Sequence, residues 1–339
     1  AYNHPDTVSV TFAAWLLGVA VVPFNIGDSD ERMVYSFTNA GVKAVFAMPD
    51  AAERVLSSKG QLKECEYFIT LQGEHSGFES LEQLITQAGK NFVAPEGVTQ
   101  ETEALMVYTS GTTGQPKGVL LEQRQIMVDA QYICNWYDFT PKERALNVLP
   151  IHHVNGLIVT LVTPLYAGMS TVMNRKFSAT TFWQVAEEEK CTWGSVVPTV
   201  LSFLCEHCKA QTAKQQTCLK FLICGAGPLT VELVERFEGH FDTKIIHGYG
   251  LSESTCYSCY LPYDLSESER TEWLTAYGYP SIGVPLACNE MAIHTPDGEP
   301  MPEGERGEIV IRGQNIMKGY LKRPEANADT FAHGWFRSG

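Results

Sequence analysis

Residues 107–119 read VYTSGTTGQPKGV, and this stretch decides both the fold and the chemistry that we expect of the chain. Glycines and hydroxyl side chains surround one cation, Lys117. Residues 104–108 are apolar and β-prone, which predicts that the stretch is a loop leaving the end of a buried strand. Glycine lets a backbone bend sharply and approach a ligand closely. Amide groups, hydroxyls and a lysine directed at one point suit phosphate oxygens, so the sequence predicts a phosphate-binding loop.

A plain surface loop and a Walker loop are two alternatives for this stretch. The Walker spacing is G-x-x-x-x-G-K-[ST], whereas here Pro116 precedes Lys117 and Gly118 follows it. The stretch instead resembles, residue for residue, the phosphate loop of the adenylate-forming superfamily, which includes acyl-CoA synthetases, luciferases and the adenylation domains of peptide synthetases. The resemblance implies nucleotide contacts from Thr109, Ser110, Gly111, Thr112, Thr113, Gly114 and Lys117.

The composition argues against several classes of partner. The formal net charge is -14 and the chain has no basic run, which disfavours nucleic acid or an anionic membrane as the main partner. No apolar run reaches membrane-spanning length, so we expect no integral membrane segment. Ten cysteines in 339 residues do not make a disulfide scaffold, and they favour a reduced, cytoplasmic setting.

Two C-x-x-C pairs, Cys205 with Cys208 and Cys256 with Cys259, make a zinc site one alternative. The gap between the pairs is far longer than in a zinc ribbon. The first pair also lies in a predicted helix, LSFLCEHC, where both cysteines fall on one face as small buried hydrophobic residues. We therefore favour a structural role for these cysteines.

Predicted helices and strands alternate along most of the chain, as in the strands at 44–48 and 221–224 and the helices that follow them. This alternation implies parallel sheets covered on both faces, with ligands at the carboxyl ends of the strands. Near residue 261 prolines and turn signals become frequent, which predicts a small β-rich module. Together with the resemblance, this gives an α/β fold with a layered αβαβα core over residues 1–260 and a barrel-like β-rich module over residues 261–339.

Residues 150–156, PIHHVNG, are similar to the superfamily's P-L-F-H-x-N-G segment. His153 takes the position of the histidine that lies beside the acyl-binding tunnel in that family. Taken alone, a histidine beside an apolar run is more often a satisfied core residue. The order of the motifs along the chain favours the functional interpretation.

Residues 225–229, GAGPL, lie between a predicted strand and a predicted helix. They do not form a Rossmann fingerprint, because Thr230 stands where the third glycine would be. A plain strand-to-helix turn explains the pattern equally well. The resemblance implies that Gly225, Ala226 and Gly227 lie against the adenine.

Residues 247–253, HGYGLSE, resemble the family's G-Y-G-x-T-E motif. In that motif the tyrosine, here Tyr249, can stack on the base, and the hydroxyl of Ser252 can bind the α-phosphate. Glu253 can hold Mg²⁺, an ion that proteins usually bind through one or two carboxylates beside substrate phosphates. The nucleotide contacts implied by the resemblance are His247, Gly248, Tyr249, Gly250, Leu251 and Ser252.

Two more segments follow in the same order. Residues 307–313, GEIVIRG, resemble a structural segment of the β-rich module, and residues 335–339, WFRSG, resemble the start of the family's aromatic-R-T-G-D motif. The resemblance covers nearly the whole chain. It also implies that the chain begins inside the first subdomain and lacks a mobile C-terminal domain, whose lysine contacts the reacting carboxylate and phosphate.

The implied function is ATP-dependent activation of a carboxylic acid to an acyl-adenylate, followed by transfer of the acyl group to coenzyme A. Its cofactors are ATP/AMP, Mg²⁺ and CoA, and its catalytic residues are Lys117, Ser252, Glu253 and His153. Residues 151–155 contain no acidic side chain of the kind that binds an amino acid's ammonium group. We therefore expect a fatty or other apolar acid, bound in an apolar tunnel lined by residues 193–204.

Three alternatives stay open at this point. The chain can be a nucleotide- or acyl-binding core without complete ligase activity, since the C-terminal lysine is missing. It can be another adenylate-forming relative, acting on aryl or amino acids or resembling a luciferase. A non-enzymatic scaffold, which would bind no nucleotide, is the third.

The role assigned to Lys117 can be tested by substitution. Because its ammonium is expected on the β- and γ-phosphates, Lys117→Ala should weaken ATP binding about tenfold or more while leaving AMP binding nearly intact. Titration calorimetry with both nucleotides measures this. Equal losses for ATP and AMP would refute the role.

Overall fold

The computed structural model describes residues 2–89, 91–109, 115–207 and 218–339. The chain divides into two compact units, one of residues 1–123 with 318–323 and the other of residues 124–317 with 324–339. The boundary expected at residue 260 does not coincide with this division, and it stays a prediction. Strands are numbered below in chain order.

The first unit contains one parallel and one antiparallel sheet. The parallel sheet has the order β1-β2-β3, with strands Ala44–Ala47, Tyr67–Thr70 and Glu79–Ser80. The antiparallel sheet has the order β15-β5-β4, with strands Gly319–Tyr320, Lys117–Glu122 and Glu103–Thr109. The α-helices of this unit are Pro5–Leu16, Asp30–Ala40, Pro49–Ser57 and Leu81–Gln87, and a 3-10 turn spans Lys59–Gln61.

The helix Asp30–Ala40 illustrates how local sequence determines an element. Ser29 caps its start by accepting a hydrogen bond from the Arg32 amide, and Gly41 ends it in the left-handed conformation at φ 66°. Met33 and Phe37 on its buried face pack into a cluster with apolar side chains of β1 and β2. The sequence DSDE at residues 28–31 predicts a capping box that opens a helix ending near Gly41, and the structure confirms this helix.

The second unit is built on a seven-stranded sheet with the order β12-β11-β10-β9-β8-β6-β7. Five neighbouring strands are parallel: β6 (Arg144–Asn147), β7 (Ser170–Met173), β8 (Trp193–Val196), β9 (Phe221–Cys224) and β10 (Lys244–Tyr249). The antiparallel strands β11 (Cys259–Tyr260) and β12 (Val284–Pro285) extend one side. This parallel sheet confirms the predicted α/β class.

A second, antiparallel sheet has the order β13-β14-β16, with strands Asn289–His294, Glu308–Gly313 and Phe336–Arg337. It lies in the part of the sequence predicted to be β-rich. The α-helices of this unit are Gln123–Trp136, whose first residue belongs to the other unit, Thr163–Tyr166, Phe182–Glu188, Pro198–His207, Val231–His240, Glu267–Thr275 and Pro324–Thr330. Two 3-10 turns span Ser252–Ser254 and Ala332–Gly334.

The apolar run at residues 156–167 predicts a buried helix, and the structure has a buried π-helix, Asn155–Val162, followed by the short α-helix Thr163–Tyr166. Apolar periodicity reports which face is buried and does not fix the hydrogen-bond register, so the sequence could not separate the two helix types. The helix Glu267–Thr275, capped reciprocally by Ser266 and Glu269, lies within the segment predicted to be a β-rich module, where no helix was expected.

An aromatic stack fills the core beside β8. The rings of Phe139 and Trp193 lie 4.4 Å apart, and those of Tyr137 and Phe221 lie 4.9 Å apart. Trp193 is fully buried in this stack. It therefore belongs to the core, contrary to its expected place in an apolar tunnel.

Neither a membrane-spanning helix nor a group of three metal-ligating side chains occurs within the described ranges. The cysteines of those ranges are unpaired thiols, and Cys256 and Cys259 are buried. Cys208 lies outside the described residues. Burial of the second C-x-x-C pair agrees with the structural role that we favour for it.

Asp129, on the helix Gln123–Trp136, is a fully buried carboxyl group. The amide nitrogen of Asn315 donates to its Oδ1 at 2.9 Å, while its Oδ2 has no hydrogen-bond partner in the described part of the chain. Burial raises the pKa of Asp129 from 3.8 to about 8, against the smaller opposing effects of hydrogen bonds from Asn315 and the Tyr257 backbone. The folded protein therefore holds this side chain neutral at pH 7.

This raised pKa predicts a pH-dependent contribution to stability. The unfolded chain releases the Asp129 proton near pH 4 and the folded chain near pH 8, so the free energy of unfolding falls between these values by up to about 1.4 kcal/mol per pH unit. Asp129→Asn removes that dependence. The melting temperature of the variant minus that of the parent should rise from pH 5 to pH 8. Parallel melting curves over this range would contradict the assignment.

Candidate active site

The two ends of the glycine-rich loop face each other across an antiparallel pair. Thr109, the last residue of β4, is in register with Lys117, the first residue of β5. Ser110, Gly111, Thr112, Thr113 and Gly114 lie outside the described residues. The predicted strand before the loop is confirmed. The returning strand that begins at Lys117 was missed, because Pro116 and Gly118, both typical of turns, flank its first residue.

Side chains of the first unit surround Lys117 and the end of β4. The Lys117 ammonium lies 4.8 Å from the centroid of the Tyr320 ring, a cation–π contact. The guanidinium of Arg32 donates to the Tyr108 carbonyl at 3.2 Å and pairs with Asp28 at 3.1 Å. Sequence reasoning did not single out Arg32 or Tyr320, since both are distant from the loop in the chain.

In the second unit the predicted motifs meet at one edge of the parallel sheet. Cys224 at the end of β9 is in register with His247 of β10 and with Val196 at the end of β8. Because parallel strands point the same way, residues 225–227 and residues 250–253 both leave this carboxyl edge. Residues 148–153, which follow β6, leave the same edge beyond β8.

Two glycines at this edge are required by protein neighbours. A Cβ added to Gly225 would lie 2.6 Å from the Tyr257 hydroxyl and 2.8 Å from the Gly248 carbonyl oxygen. A Cβ at Gly250 would overlap the carbonyl oxygen of Cys256. A Cβ at Gly227 would meet only Pro198, at 3.5 Å, an ordinary contact. The protein's own atoms therefore require glycine at positions 225 and 250. They do not require it at position 227, where close approach of a ligand could be the reason for glycine.

A buried polar network lies beneath Gly225. The Ser195 hydroxyl donates to Asn155 Oδ1 at 2.6 Å, and Asn155 Nδ2 donates to the Tyr257 hydroxyl at 3.3 Å. Burial is the main cause that raises the pKa of Tyr257 well above its ordinary value, so this hydroxyl stays neutral. The network joins the segment after β6 to β8 and to the segment that follows β10. Asn155 was visible in the sequence motif, but Ser195 and Tyr257 carried no recognisable signal.

Two adjacent histidines follow β6. His153 is exposed, His152 is half-buried, and their ring centroids are 4.3 Å apart. Burial and then the neighbouring His153 lower the pKa of His152 to about 3, so its imidazole is neutral at pH 7. A neutral ring offers one donor and one acceptor but no charge to attract an anionic substrate.

The residues of the HGYGLSE segment differ in what they contact. The His247 ring is buried and lies 2.9 Å from the Ser281 carbonyl oxygen, which gives it a structural partner. Burial raises the pKa of Tyr249, opposed by a hydrogen bond to the Ser338 side chain. This bond brings Ser338 of the WFRSG segment to Tyr249 at the end of β10. Arg337 and the Gly339 amide both donate to the carboxylate of Glu308.

Ser252 and Glu253 lie in the 3-10 turn directly after β10. The Glu253 carbonyl accepts a hydrogen bond from the Met317 amide at 2.7 Å. The predicted nucleotide-binding segments of the second unit, residues 225–227 and 250–253, thus follow two neighbouring strands at the same edge of the sheet. Convergence of Thr109 and Lys117 on the same ligand stays a prediction.

A family model described as AMP-binding enzyme matches residues 1–321. The chain belongs to this family. It is 32% identical to an oxalate–CoA ligase of Arabidopsis thaliana, with 100% of this chain and 65% of the relative covered. It is 31% identical to a sulfoacetate–CoA ligase of Cupriavidus necator, with 99% and 63% covered. The chain thus spans less than two thirds of the length of these relatives.

A solved structure has the same fold as this chain. The O-succinylbenzoate coenzyme A synthetase of Bacillus subtilis, in complex with AMP, matches with a TM-score of 0.83 and 25% identity, covering 100% of this chain and 64% of that chain. The motif series therefore lies on the fold that the sequence led us to expect.

The two glycines of the GAGPL turn make a matched pair of tests. Gly225→Ala should lower the free energy of unfolding by about 1–3 kcal/mol, because the buried Tyr257 hydroxyl and the Gly248 backbone leave no room for a methyl group. Gly227→Ala should leave stability nearly unchanged and lower AMP affinity if the adenine approaches here. Urea unfolding and AMP titration measure both quantities. Equal losses of stability would contradict the packing assignment.

Proposed function

We propose that this AMP-binding enzyme is the nucleotide- and acid-binding core of an AMP-forming acid–CoA ligase. In the full reaction a carboxylate attacks the α-phosphorus of ATP, giving an acyl-adenylate and pyrophosphate, and the thiol of CoA then takes the acyl group. The observation that carries the proposal is the common carboxyl edge of β6, β9 and β10, from which the three predicted ligand-binding segments leave. The named activities of the oxalate and sulfoacetate relatives support it.

The chemistry requires positioning and neutralisation of charge more than covalent help from side chains. We assign Lys117, with Thr109 and residues 110–114, to the β- and γ-phosphates, and Ser252 to the α-phosphate. Residues 225–227 and Tyr249 face the adenine in this proposal. The AMP complex of the Bacillus subtilis homologue supports a nucleotide site in this fold.

The residues present fit a magnesium ion held mainly by substrate oxygens. Glu253 offers one hard carboxylate ligand directly after β10, and no cluster of three ligating side chains occurs among the described residues. Mg²⁺ keeps several waters and commonly uses one or two carboxylates together with phosphates. When bound, the ion would neutralise charge on the phosphates, and Glu253 would hold it.

We further propose that the acid is fatty or otherwise apolar beyond its carboxylate. Residues 151–155 carry no acidic side chain to pair with a cationic distal group, and the neutral His152 offers no charge to an anionic one. His153 would lie beside the acyl group.

The unpaired cysteines of the described ranges are typical of a reducing, cytoplasmic compartment.

A binding core without complete ligase activity is the second candidate, because the chain spans only 63–65% of the two CoA ligases to which it was compared. Pyrophosphate exchange distinguishes the two candidates. We expect AMP and Mg²⁺-ATP to bind, while exchange by residues 1–339 alone stays slow, because they span less than two thirds of the length of these ligases. Rapid exchange would show that the core suffices for adenylation.

The acid can be identified by mass spectrometry. The chain is incubated with ATP, Mg²⁺ and one acid at a time from octanoate, benzoate, oxalate and sulfoacetate, and the bound fraction is searched for acyl-adenylate. Octanoate should give the strongest signal, and Glu253→Gln should reduce it without abolishing AMP binding. Failure of the parent chain to bind AMP or ATP would overturn the proposed function.

A further inference from the structure

A strained turn follows Glu253 immediately. Thr255 has φ 64° and ψ -58°, and the Cys256 amide donates to the Ser254 carbonyl at 2.7 Å, which closes a three-residue turn. A β-branched residue rarely adopts a positive φ, and such strain costs about 1–3 kcal/mol. The conformation persists only where the surroundings impose it.

One segment, residues 315–317, imposes this conformation through three contacts. The Thr255 hydroxyl donates to the Asn315 carbonyl at 2.7 Å. The Asn315 side-chain amide donates to the Tyr257 carbonyl at 3.0 Å, and the Met317 amide donates to the Glu253 carbonyl at 2.7 Å. The segment thus holds the chain before, within and after the strained turn.

The helix Gln123–Trp136 in turn fixes that segment. Gln125 donates to the Ile316 carbonyl at 3.2 Å, and Asp129, one turn later, accepts from the Asn315 amide. Thr255, Asp129 and Asn315 are all fully buried. Asn315 Oδ1 and Asp129 Oδ2 have no hydrogen-bond partner among the described residues.

We propose that Thr255 and Asn315, supported by Asp129, are positioning residues that fix Ser252 and Glu253 for the metal–nucleotide complex. The proposal rests on the proposed function, in which Glu253 holds Mg²⁺. None of the three side chains is assigned to the ligand. Their contacts fix the backbone from residue 253 to residue 257, and the orientation of the Glu253 carboxylate follows from that backbone.

The test compares conservative variants at two buried threonines. Thr255→Val keeps the shape and the β-branch but removes the hydroxyl bond to Asn315, whereas Thr255→Ser keeps that bond. Thr243→Val is the matched control, because the buried Thr243 hydroxyl donates to the Leu219 carbonyl at the amino edge of the sheet. The measurement is the Mg²⁺ concentration that gives half-maximal ATP binding, with AMP binding and thermal unfolding recorded in parallel.

Loss of a group that orients a metal ligand commonly costs ten- to a hundredfold in metal affinity, so Thr255→Val should raise the half-saturating Mg²⁺ concentration about tenfold. The half-saturating Mg²⁺ concentration of Thr255→Ser and of Thr243→Val should stay close to that of the parent. This should hold even if Thr243→Val loses as much stability as Thr255→Val. AMP affinity should change much less than the Mg²⁺ requirement in every variant.

Thr255→Gly provides the same test if Thr255→Val does not fold. Glycine adopts the positive φ without strain and also lacks the hydroxyl, so the Mg²⁺ requirement should rise again. An unchanged requirement in a folded Thr255 variant that lacks the hydroxyl would overturn the inference alone. A parent chain that binds AMP but no Mg²⁺-ATP would also overturn it, and a parent that binds neither nucleotide would overturn the proposed function as well.

Discussion

The parallel pairing of β9 with β10 is the constraint on which the candidate site depends. It sets Cys224 beside His247, so the turn that follows each strand leaves the sheet at the same edge. Backbone hydrogen bonds between buried strands are costly to break, and the separation of the two turns is therefore fixed by the sheet. Side chains then act on a geometry that already exists.

Packing makes that geometry specific. The Tyr257 hydroxyl occupies the space over Gly225 and is itself held by Asn155. Ser195 supports Asn155 from β8, so the segments that follow β6 and β10 share one buried network. A buried polar network of this kind is favourable only when its members find partners, and it consequently tolerates few alternative arrangements. Position 225 must be glycine because a side chain there would clash with the Tyr257 hydroxyl.

Local sequence predicted much of the fold because the relevant preferences are local. The strand Phe221–Cys224 is predicted with its observed bounds, since an apolar run and turn residues delimit it. The motif series predicted the segments that leave the carboxyl edge. Thr255 could not be predicted, because its backbone conformation opposes the local preference and is imposed by Asn315, sixty residues later. The π-helical hydrogen bonding of Asn155–Val162 could not be predicted either, because hydrophobic periodicity does not reveal the hydrogen-bond register.

The antiparallel sheet of the first unit is completed late in the chain. Its third strand, β15, pairs Gly319 with Leu120 and Tyr320 with Val119, and it comes almost two hundred residues after β5. During synthesis on the ribosome, β5 has one unpaired edge until residue 320 has emerged. An unpaired edge invites pairing with other chains, so the nascent protein is most exposed to aggregation in this interval. The first unit, which contains the N-terminal residues, is thus completed only when residues 318–323 have been synthesised.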